Sequence, residues 1–571
     1  MDKIRVIDAT LREGNQAPGV KFNLNQAKDI AKLLAAVGID MIECGHAFAS
    51  ADDAARISAI ADLGLPVPLL SHARARQEDI DAAAAAGADW IGIFCGINRI
   101  SRMSRLRGRS VESVMDVIRR SVGKAKANGL GVRYTLEDAS RTSLEVVIDV
   151  FRAAIAEGAD RVCYADTLGA LTPAGFSEVI RQIKAALPDA DLEVHVHDDR
   201  GFAMANAWCG MEAGASWIST SVNGLGERCG VTDLSVLLAN LDHAGLRPLH
   251  TPELLQELSR YVGAVSRSPP DHRRPIVGRN AFTHTSKLHT QAMKQTPLAY
   301  AVFEAERFGR AIEMASPARQ RTLLERLVKP EIIPATELKY HRIGPGSRHV
   351  MIDERFVDDA RQYCIVREIF FQAQPPAAHI DPHRHICDSL FIFLGKEPGL
   401  AGLNVEVMLD GEIRDVSSPA AMFIPAGSIH SYRVLGGEGY YINHVANGEY
   451  NGSLLEPVDV SIHGETLARV DCVDFHARDA LRTFLSTSAG VPRSALGDQM
   501  DLLESGVLDS LGFLQLFCFI EEYLGVTIPS DAFDSISNWT IAGISENLDQ
   551  WTGRPGTSVA AGRDAAASAG L

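Results

Sequence analysis

The first 265 residues predict a closed parallel (β/α)8 barrel, an α/β fold, in a chain whose 571 residues are too many for a single core. Two observations support the barrel. A unit made of a short β-branched strand, a polar turn and an Ala- and Leu-rich helical pattern occurs eight times, at about thirty residues each. Polar side chains also follow the predicted strands, at the face where such barrels carry their active sites. A doubly wound sheet is the alternative, but it usually has a glycine-rich phosphate loop after its first strand, and the sequence shows none there.

The predicted strands are short and regularly spaced. They are Arg5–Leu11, Asp40–Gly45, Pro66–Ser71, Trp90–Gly96, Gly131–Glu137, Arg161–Asp166, Leu192–His197 and Trp217–Asn223. The polar residues at their C-terminal ends are Arg12, Glu13, Glu43, His72, Glu137, Asp166, Thr167, His195, His197 and Asn223. Because these ends meet at one mouth of a barrel, we expect the side chains to surround one site.

Further segments follow the barrel, since the strand–helix alternation stops near residue 266. We expect a helical subdomain over 266–335 that completes the active site. Short β runs between Gly and Pro turns predict an all-β antiparallel barrel over 336–465. A separate domain is expected over 470–552, and a disordered Gly-, Ala- and Ser-rich tail over 553–571.

The composition excludes several classes of function. Lys plus Arg number 56 and Asp plus Glu number 72, and the net charge of −16 argues against a nucleic-acid binder. No apolar run approaches the roughly 20 residues that span a bilayer, and no basic-then-apolar leader precedes the first strand. The nine cysteines include no CxxC pair. Together these features predict a cytoplasmic protein with reduced thiols and no membrane partner.

The run His195-Val196-His197 predicts a metal site. Residues two apart on a strand face the same side, so both imidazoles can point into the barrel mouth. They could bind one divalent metal (Zn, Mn or Mg), with Glu13 from the first strand as an oxygen ligand. A lone HxH on a strand is weak evidence. The run from Asp8 to Glu13 at the end of the first strand strengthens it.

Three motifs within residues 1–310 resemble those of the DRE-TIM metallolyases. This superfamily of TIM-barrel enzymes includes isopropylmalate synthase, homocitrate synthase and HMG-CoA lyase. The motifs are most similar to homocitrate synthase, and they are Leu11-Arg12-Glu13-Gly14, Arg133-Tyr-Thr-Leu-Glu137-Asp-Ala-Ser and Ala281-Phe-Thr-His-Thr-Ser-Lys-Leu-His289.

The resemblance implies roles for individual residues. The implied metal ligands are Glu13, His195 and His197, the catalytic residues are Arg12, Glu43, Glu137, His289 and Tyr300, and the substrate-binding residues are Arg133, Thr167 and His72. The family resemblance also implies that the segment carrying the last two catalytic residues reaches the partner subunit's barrel. We therefore expect a homodimer.

The implied reaction is a metal-dependent Claisen/aldol-type condensation. An acetyl-type thioester, bound to CoA or to a carrier, would add to a 2-oxo acid and give a 2-hydroxy-2-carboxymethyl acid, so the enzyme would be an acyltransferase. A metal and Arg12 suit the stabilisation of developing negative charge, and Arg133 suits a bidentate grip on a carboxylate. The alternatives are a lyase that runs the reverse cleavage and an inactive barrel that serves as a scaffold.

The loop after the last strand departs from the family pattern. Family members commonly read Gly-Glu-Arg-x-Gly-Asn, and the Asn can join the metal shell. This chain ends the run with Gly230-Val231, so we expect a water in its place. Cys229 stands where the lyases use a loop cysteine, but Glu227-Arg228 is the synthase pattern and favours a small loop residue.

Two later motifs resemble those of cupins. They are His383-Arg384-His385 and Pro425-Ala-Gly-Ser-Ile-His430, and the resemblance implies a second metal on His383, His385 and His430. Ser389 occupies the glutamate position, and Asp388 faces the other side of the strand. A structural or ligand-binding cupin without metal is the alternative.

The run from Asp501 to Asp509-Ser510-Leu511 resembles the modification site of acyl carrier proteins. The resemblance implies an all-α four-helix bundle over 470–552 whose Ser510 carries 4'-phosphopantetheine. An ordinary capped helix is the alternative. The implied partners are a phosphopantetheinyl transferase and downstream polyketide or nonribosomal peptide synthases of specialised metabolism. The carrier would hold either the acyl donor or the product.

Overall fold

The computed structural model describes most of the chain up to residue 455 and parts of the chain beyond it. The described residues are 4–296, 298–315, 327–333, 337–357, 360–376, 378–455, 460–462, 465–467 and short stretches or single positions between 481 and 544. The chain divides into two compact units, Met1–Ala318 and Arg319–Leu571. Within the described residues, no helix combines the length and the apolar character needed to cross a membrane.

Eight parallel strands close into a barrel in sequence order. They are β1 (Arg5–Asp8), β2 (Met41–Gly45), β3 (Leu69–Arg74), β4 (Trp90–Cys95), β5 (Gly131–Leu136), β6 (Arg161–Asp166), β7 (Leu192–Val196) and β8 (Trp217–Thr220). The pairing of β8 with β1, from Trp217 opposite Arg5 to Thr220 opposite Asp8, closes the ring. The predicted closed barrel is confirmed.

Several strand boundaries differ from the prediction, and two of them have clear local reasons. The third strand begins at Leu69 rather than Pro66, because Pro66 and Pro68 have no N–H to donate to the ladder. The first strand ends at Asp8, because the amides of Arg12 and Glu13 turn back to the Ala9 carbonyl. This turn places the first polar motif at the barrel mouth.

Ten helices accompany the barrel strands. They are α1 (Leu24–Val37), α2 (Ala51–Ala61), α3 (Gln77–Ala85), α4 (Arg99–Ser104), α5 (Val111–Ala127), α6 (Leu144–Ala156), α7 (Pro173–Ala186), α8 (Ala203–Glu212), α9 (Leu234–His243) and α10 (Leu254–Val265). Several begin at a side chain that accepts a hydrogen bond from the first turn, as Asn23 does in the capping box of α1.

The described part of the predicted helical subdomain over 266–335 contains short strands as well as a helix, and its role in completing the active site stays a prediction. One helix, α11 (Lys287–Gln295), lies between two short parallel strands, β9 (Thr283–His284) and β10 (Glu313–Met314). Near the end of the range, β11 (Glu331–Ile332) pairs with the sheet of the second unit. Pro330 precedes these residues and Ile332 is β-branched, and both features favour an extended backbone.

The second unit contains an antiparallel sheet. Its further strands are β12 (Arg348–Ile352), β13 (Tyr363–Gln372), β14 (Ser389–Gly395), β15 (Leu403–Leu409), β16 (Glu412–Ser417), β17 (Ala420–Ile424) and β18 (His430–Val445). The long β18 pairs with β13, β14 and β15. A short hairpin of β19 (Val460–Ile462) and β20 (Glu465–Leu467) follows. The predicted antiparallel β region is confirmed, and its assignment to the cupins stays a prediction.

The predicted attachment site Ser510 and the tail over 553–571 lie outside the described residues.

Candidate active site and candidate metal centres

Glu13, His195 and His197 converge at the barrel mouth, and all three are buried. The two histidine Nε2 atoms lie 3.3 Å apart. The Glu13 carboxylate faces both imidazoles, with one oxygen 4.0 Å from His195 Nε2 and the other 3.9 Å from His197 Nε2. The alternation of β7 thus brings the predicted ligands together.

This donor set fits a divalent metal. Zinc held by two nitrogens at tetrahedral angles separates them by about 3.3 Å. Burial lowers the pKa of His195 and of His197, so both rings are neutral and offer a lone pair. Burial alone would raise the pKa of Glu13, but the Arg12 guanidinium and the Glu227 amide hold it down, at about 2. Ser219 Oγ lies 2.9 Å from His195 Nδ1 and orients that ring.

From Glu13 inward, acidic and basic side chains alternate into the barrel. The order from mouth to interior is Glu13, Arg12, Glu43, Arg133, Glu193 and Arg161. Three carboxylates face three guanidiniums, so the buried charges cancel. Burial would raise the pKa of Glu43, but Arg12 and Arg133 hold it well below its ordinary value. Glu43 is therefore an anion that positions two cations.

Arg133 is already committed to carboxylates of the protein. Its Nη1 donates to Glu193 at 2.9 Å and to Glu43 at 3.1 Å, and the side chain is 2% exposed. Its guanidinium fits only because residue 92 is glycine, since a Cβ there would lie 2.6 Å from Arg133 Nη2 and 2.8 Å from Leu70 Cδ2. The expected grip on a substrate carboxylate stays a prediction. The substrate would have to displace one of the two glutamates.

His72 and Thr167 line the mouth. His72 Nδ1 lies 2.8 Å from Glu43 Oε1, and its ring stacks on Phe94 with centroids 4.4 Å apart. Thr167 Oγ1 accepts a hydrogen bond from the Asp138 amide at 2.9 Å. His72 thus adjoins the charge network, whereas Thr167 orders a neighbouring loop.

The predicted acid–base group does not assemble within one chain. Glu137 forms a bidentate pair with Arg105, at 2.6 and 2.7 Å. His289 instead stacks on Tyr300, with centroids 3.9 Å apart. Among the described residues, no hydrogen bond or ring contact joins either residue of this stacked pair to Glu137. The expectation that a partner subunit supplies them stays a prediction.

The loop after β8 folds over the candidate metal ligands. The Glu227 amide donates to Glu13 Oε1 at 3.1 Å, and Val231 forms a β-bridge with His197. The loop requires Gly230, which has φ +86° and whose Cβ would overlap the Gly224 carbonyl. Val231, at the family's Asn position, therefore lies beside the candidate ligand His197 but offers a metal only an apolar side chain. Cys229 is exposed.

Sequence reasoning missed Glu193, Arg161 and Ser219. The signal for Glu193 was present, because it lies two residues before His195 on the same strand and faces the same side. Arg161 begins β6, at the opposite end of the barrel from the expected active site, and carries no such signal.

Comparison with known proteins agrees with this geometry. The HMGL-like family matches residues 3–262 and the phosphopantetheine attachment site family matches residues 479–547. The homocitrate synthase of Pyrococcus abyssi is 40% identical over 307 residues, which cover 53% of this chain and 84% of that protein. The chain belongs to the HMGL-like family. The expected enzyme class, an acyltransferase of the homocitrate synthase type, is confirmed with it.

Other relatives of this HMGL-like protein have related names. The homocitrate synthase of Sulfurisphaera tokodaii is 37% identical over 314 residues, 54% of this chain and 68% of the relative. The putative (R)-citramalate synthase CimA of Archaeoglobus fulgidus is 38% identical over 309 residues, 54% of this chain and 63% of the relative. The crystal structure of the HMG-CoA lyase of Bacillus subtilis covers 49% of this chain and 97% of that chain, with 19% identity and a TM-score of 0.43.

The HMGL-like protein has a second set of converging histidines, in its second unit. His383, His385 and His430 are buried, and their ligand atoms all lie within 4.8 Å of one another. The Nδ1 atoms of His383 and His430 lie 2.8 and 3.0 Å from the carbonyls of Asp381 and Ser428. Because a carbonyl only accepts, both Nδ1 atoms carry the proton and both Nε2 atoms are unprotonated, and that of His383 accepts a hydrogen bond from Tyr450 Oη at 2.7 Å.

The same argument holds for His385. Ser453 Oγ donates to the Tyr450 carbonyl at 2.6 Å, so it accepts from His385 Nδ1 at 2.7 Å. Burial lowers the pKa of His385, and burial together with His383 lowers that of His430 to about 3. Three neutral imidazoles thus present unprotonated Nε2 atoms to one point, which fits a metal.

Among the described residues, no carboxylate joins the three histidines in the place of the glutamate of metal cupins. Ser389 is buried at that position. Asp388 is exposed and accepts a hydrogen bond from the Ala426 amide at 2.9 Å. The predicted alternation of the strand is therefore observed, and Asp388 faces away from the histidines.

Proposed function

We propose that the HMGL-like barrel condenses an acetyl-type thioester with a 2-oxo acid. The observation that carries this proposal is the convergence of Glu13, His195 and His197 in front of Arg12 and Glu43. A bound divalent metal would polarise the keto group of the acid. Homocitrate and citramalate synthases are the named relatives, which supports this reaction over cleavage.

The chain's own residues supply charge stabilisation and proton transfer. Arg12 is 10% exposed, while its partner Glu43 is fully buried, so Arg12 is the cation that faces the mouth. It would donate to the alkoxide that forms when the methyl carbanion attacks the keto carbon. Glu137 and the partner subunit's His289 and Tyr300 would remove the methyl proton. Hydrolysis of the thioester then releases the thiol.

A thiol-release assay tests the proposal. The full-length protein with divalent metal and acetyl-CoA should release CoA only when oxaloacetate, 2-oxoglutarate or a close analogue is present. The variant His289→Ala should lower kcat far more than it raises KM, because the His289 imidazole would act mainly in the transition state. If no 2-oxo acid stimulates release but a 3-hydroxy-3-methyl acyl thioester is cleaved, the enzyme is a lyase.

We also propose that Ser510 carries 4'-phosphopantetheine in the carrier domain. The attachment-site match over residues 479–547 supports this. Incubation with CoA and a phosphopantetheinyl transferase should add one arm, seen by intact mass, and Ser510→Ala should gain none. The arm would hold the acyl donor or the product for a partner polyketide or nonribosomal peptide synthase. Loading with acetyl groups before addition of the 2-oxo acid separates these roles.

We further propose that His383, His385 and His430 hold a second divalent metal. The three unprotonated Nε2 atoms carry this proposal. Metal analysis of the full-length protein should find two ions per chain, one for each set of histidines.

A further inference from the structure

The interior of the second unit holds two arginines on the same face of its sheet. Arg348 on β12 lies opposite Arg367 on β13 in the antiparallel register. Both are buried, at 4% and 2% exposure. Their strand neighbours two positions along, Val350 and Ile365, belong to the hydrophobic core, so both guanidiniums point inward. Directly opposed like charges destabilise a sheet, and burial increases the cost.

No carboxylate of the described residues neutralises this pair. The buried Asp353 is held by Arg355, at 2.7 Å to Nε and 2.6 Å to Nη2. Glu406 is buried too, but it faces away from the core, because its neighbours Val405 and Val407 are core residues. Among the described residues, Nε and Nη1 of both inward arginines have no hydrogen-bond partner.

Buried phenol hydroxyls lie in the same interior as the arginines. The hydroxyls of Tyr363, Tyr432 and Tyr441 are buried, and within the described part of the chain none has a hydrogen-bond partner. Burial raises the pKa of Tyr432 to about 12, so this phenol keeps its proton. An interior in which no described carboxylate pairs with either guanidinium, and in which several hydroxyls have no described partner, lacks an anion.

A hydrogen-bonded path joins the arginines to the histidines. Arg348 Nη2 donates to His341 Nδ1 at 3.0 Å, so the proton of this neutral ring is on Nε2. His341 Nε2 then donates to Tyr450 Oη at 2.6 Å, and this hydroxyl donates to His383 Nε2 at 2.7 Å. The arginine pair and the three histidines therefore belong to one polar interior.

We propose that the second unit binds a small organic dicarboxylate whose oxygens accept hydrogen bonds from Arg348 and Arg367. Two negative charges match two guanidiniums, and a planar carboxylate matches the fork of each. The aromatic walls suit a carbon skeleton better than a fully hydrated inorganic anion. The site is separate from the HMGL-like barrel, so it is a second binding site of the chain.

The test is thermal unfolding and calorimetry on the full-length protein with malate as the probe. Malate should raise the Tm of the second unit, whereas acetate should shift it far less. Inorganic phosphate is the other arm, and a shift with phosphate that equals or exceeds the malate shift would overturn the organic assignment. The histidine pair variant His195→Ala/His197→Ala removes any contribution from the barrel and should retain the shift.

Arg367→Met separates a binding role from a structural one. If the arginine serves a ligand, the ligand-free variant should be at least as stable as the wild type, because a like-charge repulsion is removed, and the malate shift should be lost. The matched control is Arg414→Met, whose partner Glu412 is an exposed surface residue, and this variant should keep the shift. A lower Tm of Arg367→Met without ligand, together with no malate shift in the wild type, would overturn the proposal.

Discussion

Each of the two candidate metal centres contains two histidines separated by one residue, and the two centres differ in the charges that surround these histidines. In the barrel, two histidines and Glu13 lie at the end of an alternating series of carboxylates and guanidiniums. In the second unit, three histidines lie on a hydrogen-bonded path to two arginines without a described carboxylate. The first centre is internally neutral before any substrate arrives, whereas the second has an excess of positive charge.

This difference indicates how each site would select its ligand. In the barrel, Arg133 is paired with Glu43 and Glu193, so a contact with a substrate carboxylate would require its release from one of them. The arginines of the second unit have no described carboxylate partner, so the proposed dicarboxylate would pair with them directly and stabilise the fold.

The largest expected effect separates the two centres. Replacing His195 and His197 with Ala should remove one metal ion per chain and lower condensation by on the order of 10³-fold or more, because the electrophile is lost. Replacing His383 and His385 with Ala should remove the other ion and leave thiol release from acetyl-CoA unchanged. Metal analysis and the thiol assay on both variants check this. Full activity of a metal-free barrel variant would disprove the first assignment.

The next effect concerns the missing acid–base group. Consider a heterodimer of one His195→Ala/His197→Ala chain and one His289→Ala chain. It contains a single intact site if the segment that carries His289 reaches the barrel of the other subunit. Purified through two different tags, it should show about half of the wild-type activity, while each parent homodimer is nearly inactive. An inactive heterodimer would place His289 in the site of its own chain.

A smaller effect comes from the packing of Arg133. Gly92→Ala would place a Cβ against Arg133 Nη2 and Leu70 Cδ2, so kcat/KM for the 2-oxo acid should fall by about 10- to 100-fold through misplacement. Gly123→Ala is the control, since its Cβ would meet only Glu157 at 3.9 Å and alanine favours the helix. Equal activity of the two variants would mean that Arg133 does not position the substrate.

How far the sequence predicts these features depends on whether they are local. The period-two pattern of β7 was enough to bring His195 and His197 together, and the eightfold strand–helix repeat was enough for the barrel. The pairing of Arg133 with Glu193 was not foreseeable, because it depends on which inward side chains from distant strands meet. The arginine pair was missed for the same reason, since it arises from the register of β12 and β13.

The short strands within residues 266–335 were not predicted for a different reason. This range lacks the alternation of the barrel, and no strand was expected there. Strands as short as Thr283–His284 and Glu331–Ile332 are stabilised by their partners in space rather than by their own pattern. Such strands carry too little periodicity to be recognised in a sequence.

The smallest expected effect concerns Asp8, the barrel's counterpart of the unpaired arginines. It is fully buried, and its Oδ1 accepts from the Thr10 amide at 2.8 Å, but among the described residues Oδ2 has no partner. Burial raises its pKa to about 7. A carboxylate can lose its charge by taking up a proton, so Asp8 needs no ligand. A guanidinium keeps its charge near neutral pH, so the two buried arginines of the second unit do need one.

The sign of the pH dependence follows from this shift. The ordinary pKa of an aspartate is 3.8, so above this pH the unfolded chain has released the Asp8 proton. The folded state still binds this proton until the pH approaches 7. The free energy of unfolding of the barrel should therefore fall as the pH rises from about 4 to about 7. Asp8→Asn keeps the shape without the charge, so the Tm of the variant should vary less between about pH 5 and about pH 8 than that of the wild type. If the two Tm profiles are parallel, Asp8 is already ionised in the folded protein and a partner outside the described residues neutralises it.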